Sequence, residues 1–232
     1  MDRFKNIVVL FAIVAISAIF IFSCKKKEDE AELPRNVDFY IRYQSEGNQF
    51  NSLCKLSYAD SLAAGQPDTA SYDITIGGKD MKEIIPPSGA KHYNFKTNMP
   101  YAPDYEIKIK SRAGSIISQS TKLGKIDSVK VSNTISKSKG ISYSYAGTPL
   151  TANESIITMI VTKDGKSASN TIQGPTTTNE MTFKSQDLGL LNDGEVEIYL
   201  IRTNTEDVVN NNMNFFIRNE YFSKTYKINL VK

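Results

Sequence analysis

The chain contains no tryptophan, one histidine and two cysteines in 232 residues. Each scarcity excludes something. His92 alone cannot build a histidine-rich metal site, and zinc sites draw on cysteine or several histidines. A Ser-His-Asp arrangement would need His92 as its base, and no Gly-x-Ser-x-Gly stretch supplies a nucleophile. There is no Asp-rich calcium loop of the EF-hand type and no glycine loop for phosphate. Glu195 and Glu197 stand two apart on one strand face, opposite Val196, Ile198 and Leu200, so they read as solvated acids and not as a hydrolytic pair. No cofactor is expected and no enzyme activity. The net charge of +3, with basic and acidic residues interleaved, does not point to nucleic acid.

Long apolar runs are also scarce. Residues 7–22 form a stretch of sixteen without a charge, after Arg3 and Lys5. A spanning helix needs roughly 20 residues at about 1.5 Å each, so this stretch fits the apolar region of a secretory signal better. It ends in Phe20-Ile21-Phe22-Ser23-Cys24. A small residue followed by cysteine at this place resembles a bacterial lipobox, although Phe22 stands where the family usually carries a small residue. The resemblance implies diacylation of the Cys24 thiol and cleavage before it, leaving residues 1–23 as a lipoprotein signal peptide. One acyl chain gives only marginal anchoring at about 0.8 kcal/mol per CH₂, but two or three hold a protein at a membrane. The mature chain would lose Asp2, Arg3 and Lys5, and its formal charge would fall from +3 to +2.

Lys25-Lys26-Lys27-Glu28-Asp29-Glu30-Ala31-Glu32 follows. A mixed charge block with almost no apolar content cannot bury a core. Residues 24–35 are therefore expected to be a lipidated N-terminus and solvated tether. Lysines followed by acids just after such a cysteine resemble the lipoprotein export signal of Bacteroidota. That resemblance implies lipid anchorage on the outer face of the outer membrane, at the cell surface; the periplasmic face of that membrane is the alternative. Lipidation of Cys24 would leave Cys54 unpaired. Cys54 shares a strand face with Leu56 and Tyr58, which predicts a small buried apolar residue.

The remainder alternates. Val37, Phe39, Ile41 and Tyr43 lie on one face of a period-two run, and Tyr105, Ile107 and Ile109 on another. Gly77-Gly78 and Asp164-Gly165 are hairpin signals. A return strand is expected at residues 80–85, a helical turn at 188–194, strands at 195–202, 213–218 and 224–231, and a polar loop at Asn210-Asn211-Asn212. Each half yields short strands with turn signals roughly every ten residues, which predicts an all-β fold of two tandem β-sandwich domains. Gly124 is the candidate boundary, giving domain 1 at 36–123 and domain 2 at 124–232. The second half resembles the immunoglobulin-like domains at the ends of Bacteroidota lipoproteins, on the pattern of residues 188–194, 195–202 and 221–231.

Two further patterns bear on function. Tyr40, Tyr101, Tyr143 and Tyr145 are candidates for exposed rings that stack on a ligand, Tyr143 and Tyr145 sharing one face. Asp60-Ser61-Leu62, Asp68-Thr69-Ala70 and Asp127-Ser128-Val129 resemble the O-glycosylation motif of Bacteroidota extracytoplasmic proteins, which implies glycan at Ser61, Thr69 and Ser128. The expectation is a non-enzymatic binding or accessory lipoprotein with a protein or glycan partner and no nucleic acid. A glycan-binding protein of a polysaccharide uptake system is the second reading.

Overall fold

The computed structural model describes residues 36–57, 71–87 and 91–232. The leader, Cys24, the tether, Ser61 and Thr69 lie outside them. In the first half the strands are β1 (Asn36–Gln44), β2 (Gln49–Ser57), β3 (Asp73–Ile76), β4 (Lys79–Asp80), β5 (Lys82–Ile84), β6 (His92–Asn98), β7 (Asp104–Lys110) and β8 (Ile116–Lys122). The period-two pattern holds: Val37, Phe39, Ile41 and Tyr43 are buried while their neighbours are not. Gly77 and Gly78 both take positive φ, the geometry that closes a two-residue hairpin between β3 and β4. The expected single return strand is divided at buried Met81. Its first part pairs with β3, and its second, β5, pairs with β6 in the other sheet.

The second half contributes β9 (Ser128–Lys130), β10 (Thr134–Ser136), β11 (Ile141–Ala146), β12 (Glu154–Thr162), β13 (Ser167–Gln173), β14 (Glu180–Phe183), a short helix α1 (Ser185–Leu188), β15 (Gly194–Asn210), β16 (Met213–Phe222) and β17 (Tyr226–Val231). The helix precedes the expected turn and ends at Gly189. Asp164-Gly165 forms the predicted hairpin between β12 and β13.

The expected all-β sandwich class is found. In sandwich 1, β5, β6, β2, β1 and β16 are covered by β4-β3-β7-β8. Phe50 of β2 meets Tyr105 of β7 across the core, ring centroids 5.0 Å apart. In sandwich 2, β13, β12, β15, β17 and β10 face β14-β11-β9. There the Tyr143 hydroxyl crosses the core to donate to Thr158 Oγ1 at 2.7 Å.

The strand pairing crosses the boundary expected at Gly124. β15 does not stop at Arg202 but runs for 17 residues. Residues 196–204 pair with β12 in sandwich 2, and residues 201–210 pair with β16. β16 in turn lies parallel to β1 along all nine residues of that strand. The C-terminal hairpin therefore completes the sheet of sandwich 1. Its continuation was hidden because the inward positions after Arg202 are Asn204, Glu206, Val208 and Asn210, which show no apolar alternation. The three polar side chains among them bond β8 instead. Asn204 Nδ2 donates to the Lys122 carbonyl at 3.1 Å, Asn210 Nδ2 to the Ser118 carbonyl at 2.9 Å, and Thr121 Oγ1 donates to Glu206 at 2.9 Å. Asn211 and Asn212 turn the hairpin at positive φ, a conformation asparagine tolerates better than most residues.

A chain ending at residue 193 lacks β15, β16 and β17. It is expected to leave residues 36–123 unfolded, because β1 loses its parallel partner and the core loses Met213, Phe215 and Ile217. Urea unfolding followed by circular dichroism tests this, and a cooperative transition in the shortened chain would contradict it.

Candidate binding surfaces

Where β15 passes from one sandwich to the other, it carries Arg202. The residue continues the inward face of Val196, Ile198 and Leu200 and is only 2% exposed. Glu154, 6% exposed, opens the inward face of β12 in the same way. Arg202 Nε and Nη2 donate to the two carboxylate oxygens of Glu154 at 2.9 and 2.8 Å. Nη1 donates to the Thr148 and Lys125 carbonyls at 2.9 and 3.4 Å, and Nη2 also to the Pro149 carbonyl at 3.4 Å. Gly124 lies against this group. A Cβ there would sit 2.7 Å from Arg202 Cζ and from Glu154 Oε1, closer than side chains tolerate. Burial pushes the Glu154 carboxyl up, but the bonds from Arg202 and the Thr151 backbone outweigh it and hold it below its ordinary 4.5.

Beside the ion pair, Tyr101, Lys125, Asn153 and Asn204 help line an open cavity of about 670 Å³ between the sandwiches. Tyr43 and Tyr221 stack at 5.7 Å, and Tyr101 meets both edge-on at 5.6 Å. The Tyr101 hydroxyl donates to the Leu123 carbonyl. The arginine, glutamate and tyrosines of this joint already bond or stack on neighbouring protein groups.

A second constellation lies on the outer face of the long sheet. Tyr40, Arg42, Phe222 and Tyr199 form a stack across β1, β16 and β15. The Arg42 guanidinium sits 5.3 Å from the Tyr40 ring and 4.7 Å from the Phe222 ring. Phe222 and Tyr199 are 6.4 Å apart and inclined by 24°. Glu220 fixes one end: it accepts from Tyr40, pairs with Arg42 at 3.1 Å and with Arg218 at 2.6 Å. Burial, then the bond to Glu220, pushes the Tyr40 hydroxyl up to about 12. All four stacked side chains remain half-exposed. Next to the ring pair is a depression of about 330 Å³ lined by Gln44, Glu46, Tyr199, Phe222, Ser223 and Thr225. Aromatic faces beside amide, carboxylate and hydroxyl groups can stack on one side of a ligand and hydrogen-bond its edge.

The residues singled out from sequence divide among these places. Tyr40 joins the stack and Tyr101 the joint. Tyr143 and Tyr145 do share a face, but it is the core face, where they are 4% and 5% exposed. They are thus removed as ligand platforms: β11 covers sandwich 2 and turns both rings inward. Cys54 is fully buried, and burial pushes its thiol far above the ordinary range. Ser128 opens β9, half-buried. His92 begins β6, half-buried. Glu195 and Glu197 are exposed, and Glu195 pairs with Lys163 and Lys227 at 3.3 and 3.5 Å. Among the described residues no three His, Cys, Asp or Glu side chains gather to hold a metal, and no helix is long and apolar enough to cross a membrane. Sequence reasoning missed Tyr199 and Phe222. Their signal is the consecutive apolar run Ile198-Tyr199-Leu200-Ile201 and the pair Tyr221-Phe222, which place apolar groups on both faces of a strand.

No family model matches the chain, and no curated protein sequence matches it. Solved structures similar to it include a two-domain fibronectin type III segment from chicken tenascin, 13% identical, covering 87% of this chain and all of that one, with a TM-score of 0.30. A cytokine receptor complex is 10% identical over 82% of this chain and 95% of that one, TM-score 0.33. Bacteroides ovatus SGBP-B of a mixed-linkage glucan utilization locus, in complex with a mixed-linkage heptasaccharide, is 14% identical over 80% of this chain and 43% of that one, TM-score 0.21. The fold assignment rests on the pairing and burial described above.

Removing one partner of a buried ion pair costs about 3–5 kcal/mol because the other charge is left uncompensated. Glu154→Gln is expected to lower unfolding free energy by an amount of that order. The folded pKa of Glu154 is depressed, so its contribution is full above the unfolded value of 4.5 and fades as pH falls through the lower folded value. The wild type should lose more stability on acidification than Glu154→Gln. Urea titrations of both proteins across that window test this, and parallel curves would contradict it.

Proposed function

We propose that this chain is a membrane-anchored extracytoplasmic lipoprotein that acts as a non-enzymatic binding or accessory module at the cell surface. The anchor is Cys24, supported by the short apolar leader, the Ser23-Cys24 junction and the lysine-then-acid block that follows. The observation that carries the binding role is the Tyr40–Arg42–Phe222–Tyr199 stack: rings already oriented by their neighbours, yet half-exposed on an open sheet face. Such rings contribute to binding with little ordering cost, and aromatic and arginine anchors dominate interface energies.

A glycan partner is the second reading. The depression beside Tyr199 and Phe222 favours it, because Gln44, Glu46 and Thr225 surround the ring pair with groups that bond sugar hydroxyls. A protein partner would engage the whole stack instead.

Affinity purification from membranes, with mass spectrometry of captured partners and of the mature N-terminus, tests both parts. A Cys24→Ala variant should accumulate uncleaved and lose palmitate labelling; normal processing in that variant would overturn the anchor. Replacing both Tyr199 and Phe222 by alanine should weaken capture of the partner, or binding on a glycan array, by roughly 30-fold or more, since an anchor residue is worth about 2 kcal/mol. Undiminished binding by a folded double variant would remove the stack from the binding role.

A further inference from the structure

The described residues include seven large apolar side chains that are well exposed, and five of them lie toward one end of sandwich 1. Ile85 (63% exposed), Ile116 (60%) and Val209 (70%), with Ile84, belong to the end of sandwich 1 that faces away from sandwich 2. The register fixes this. Asn36, the start of β1, pairs with Ser57 and with Asn214, and Asn214 pairs with Val209. Ile84 pairs with His92, which pairs with Lys55. Ile116 pairs with Lys110, and Asn210 ties the same end of β8 by its bond to the Ser118 carbonyl. Phe216, 43% exposed, lies just inward, beside Asp38. The opposite end of sandwich 1 is the joint with Arg202. Leu190 and Val231, the two remaining exposed apolar side chains, both belong to sandwich 2.

This is also the end at which the chain enters the fold. Eleven residues lie between Cys24 and Asn36, and the twelve steps from one to the other span at most about 43 Å even when fully extended. Exposed Lys110 and Arg112 lie with Ile116 at the tip between β7 and β8, and exposed Asp73 stands opposite Lys110 on β3. Aliphatic tips among long basic side chains suit the headgroup and acyl boundary of a bilayer, where the cations reach lipid phosphates and the apolar groups leave water.

We propose that this end of sandwich 1 rests on the phospholipid bilayer that holds Cys24, with Val209, Ile116 and Ile85 in the interface. The proposal rests on the lipid-anchor reading. Its consequence is orientation: sandwich 2 and the joint are held on the far side of sandwich 1 from the membrane, and the protein does not tumble on its tether.

The absence of tryptophan makes the test direct, because each introduced tryptophan reports only its own place. The full chain is expressed in a bacterial host, its N-terminal lipidation is verified by mass, and it is reconstituted into phosphatidylethanolamine–phosphatidylglycerol vesicles with and without brominated acyl chains. Val209→Trp and Ile116→Trp, both at exposed tips, should show blue-shifted emission and lose roughly half of it to bromine, as expected for groups about 5–10 Å into the interface. Leu190→Trp should remain red-shifted and unquenched. Protein that floats with the vesicles but shows no quenching at Val209 or Ile116 would overturn the proposal while leaving the anchor intact. A blue shift without bromine quenching would also overturn it, because a second copy or another protein would then cover this end. Protein that is not lipidated and does not float would remove the anchor reading and this proposal together.

Discussion

The Arg202–Glu154 pair is the constraint on which the rest of the molecule depends. One guanidinium spends its donors on the Glu154 carboxylate of β12 and on the carbonyls of Lys125, Thr148 and Pro149. Three loop carbonyls, one strand acid and the strand that bears the arginine are thereby fixed to a single point. Buried charges of this kind add little net stability over apolar replacements, but they penalise any arrangement that leaves either charge alone. The pair therefore specifies how the connection at Gly124 passes over β15. Glycine is needed there because a side chain would occupy the place of the guanidinium.

From that point β15 continues as a partner for β16, and β16 as a partner for β1. The two sandwiches share one sheet, so the outer face bearing Tyr40, Arg42, Phe222 and Tyr199 is assembled from strands of both chain halves. The strand pairing and the Glu220 bonds fix the geometry of this face, and a fixed surface carries a low ordering cost in any association. The same sheet carries the Val209–Phe216 end, so the half-exposed stack and the exposed apolar end lie on one continuous sheet.

Much of this architecture was legible from alternation alone. The inward faces of β1, β7 and β17 follow directly from the spacing of their apolar residues, and the burial of Cys54 follows from the strand face it shares with Leu56. Tyr143 and Tyr145 show the limit of that reasoning: spacing says that two rings share a face, not whether that face is core or solvent. The second half of β15 was illegible for a different reason. Three of its four inward residues bond the edge of β8 through amides and a carboxylate, so the usual apolar mark of a strand is missing. Arg202 and Glu154 did leave a trace, a charge on the apolar face of each of two strong strands. Read together, two opposite charges in such positions point to a buried pair. Gly124 was noticeable as a break in pattern, and its close contact with that pair is what the structure adds.

The central claim is that the shared hairpin makes the two sandwiches one cooperative unit. Native-state hydrogen exchange measures this most directly. The slowest amides of β2 and β7 in sandwich 1 and of β12 in sandwich 2 should open with the same free energy, equal to that of global unfolding, and should respond equally to denaturant. Opening of the sandwich 1 amides at a distinctly lower free energy, with β12 still protected, would contradict it.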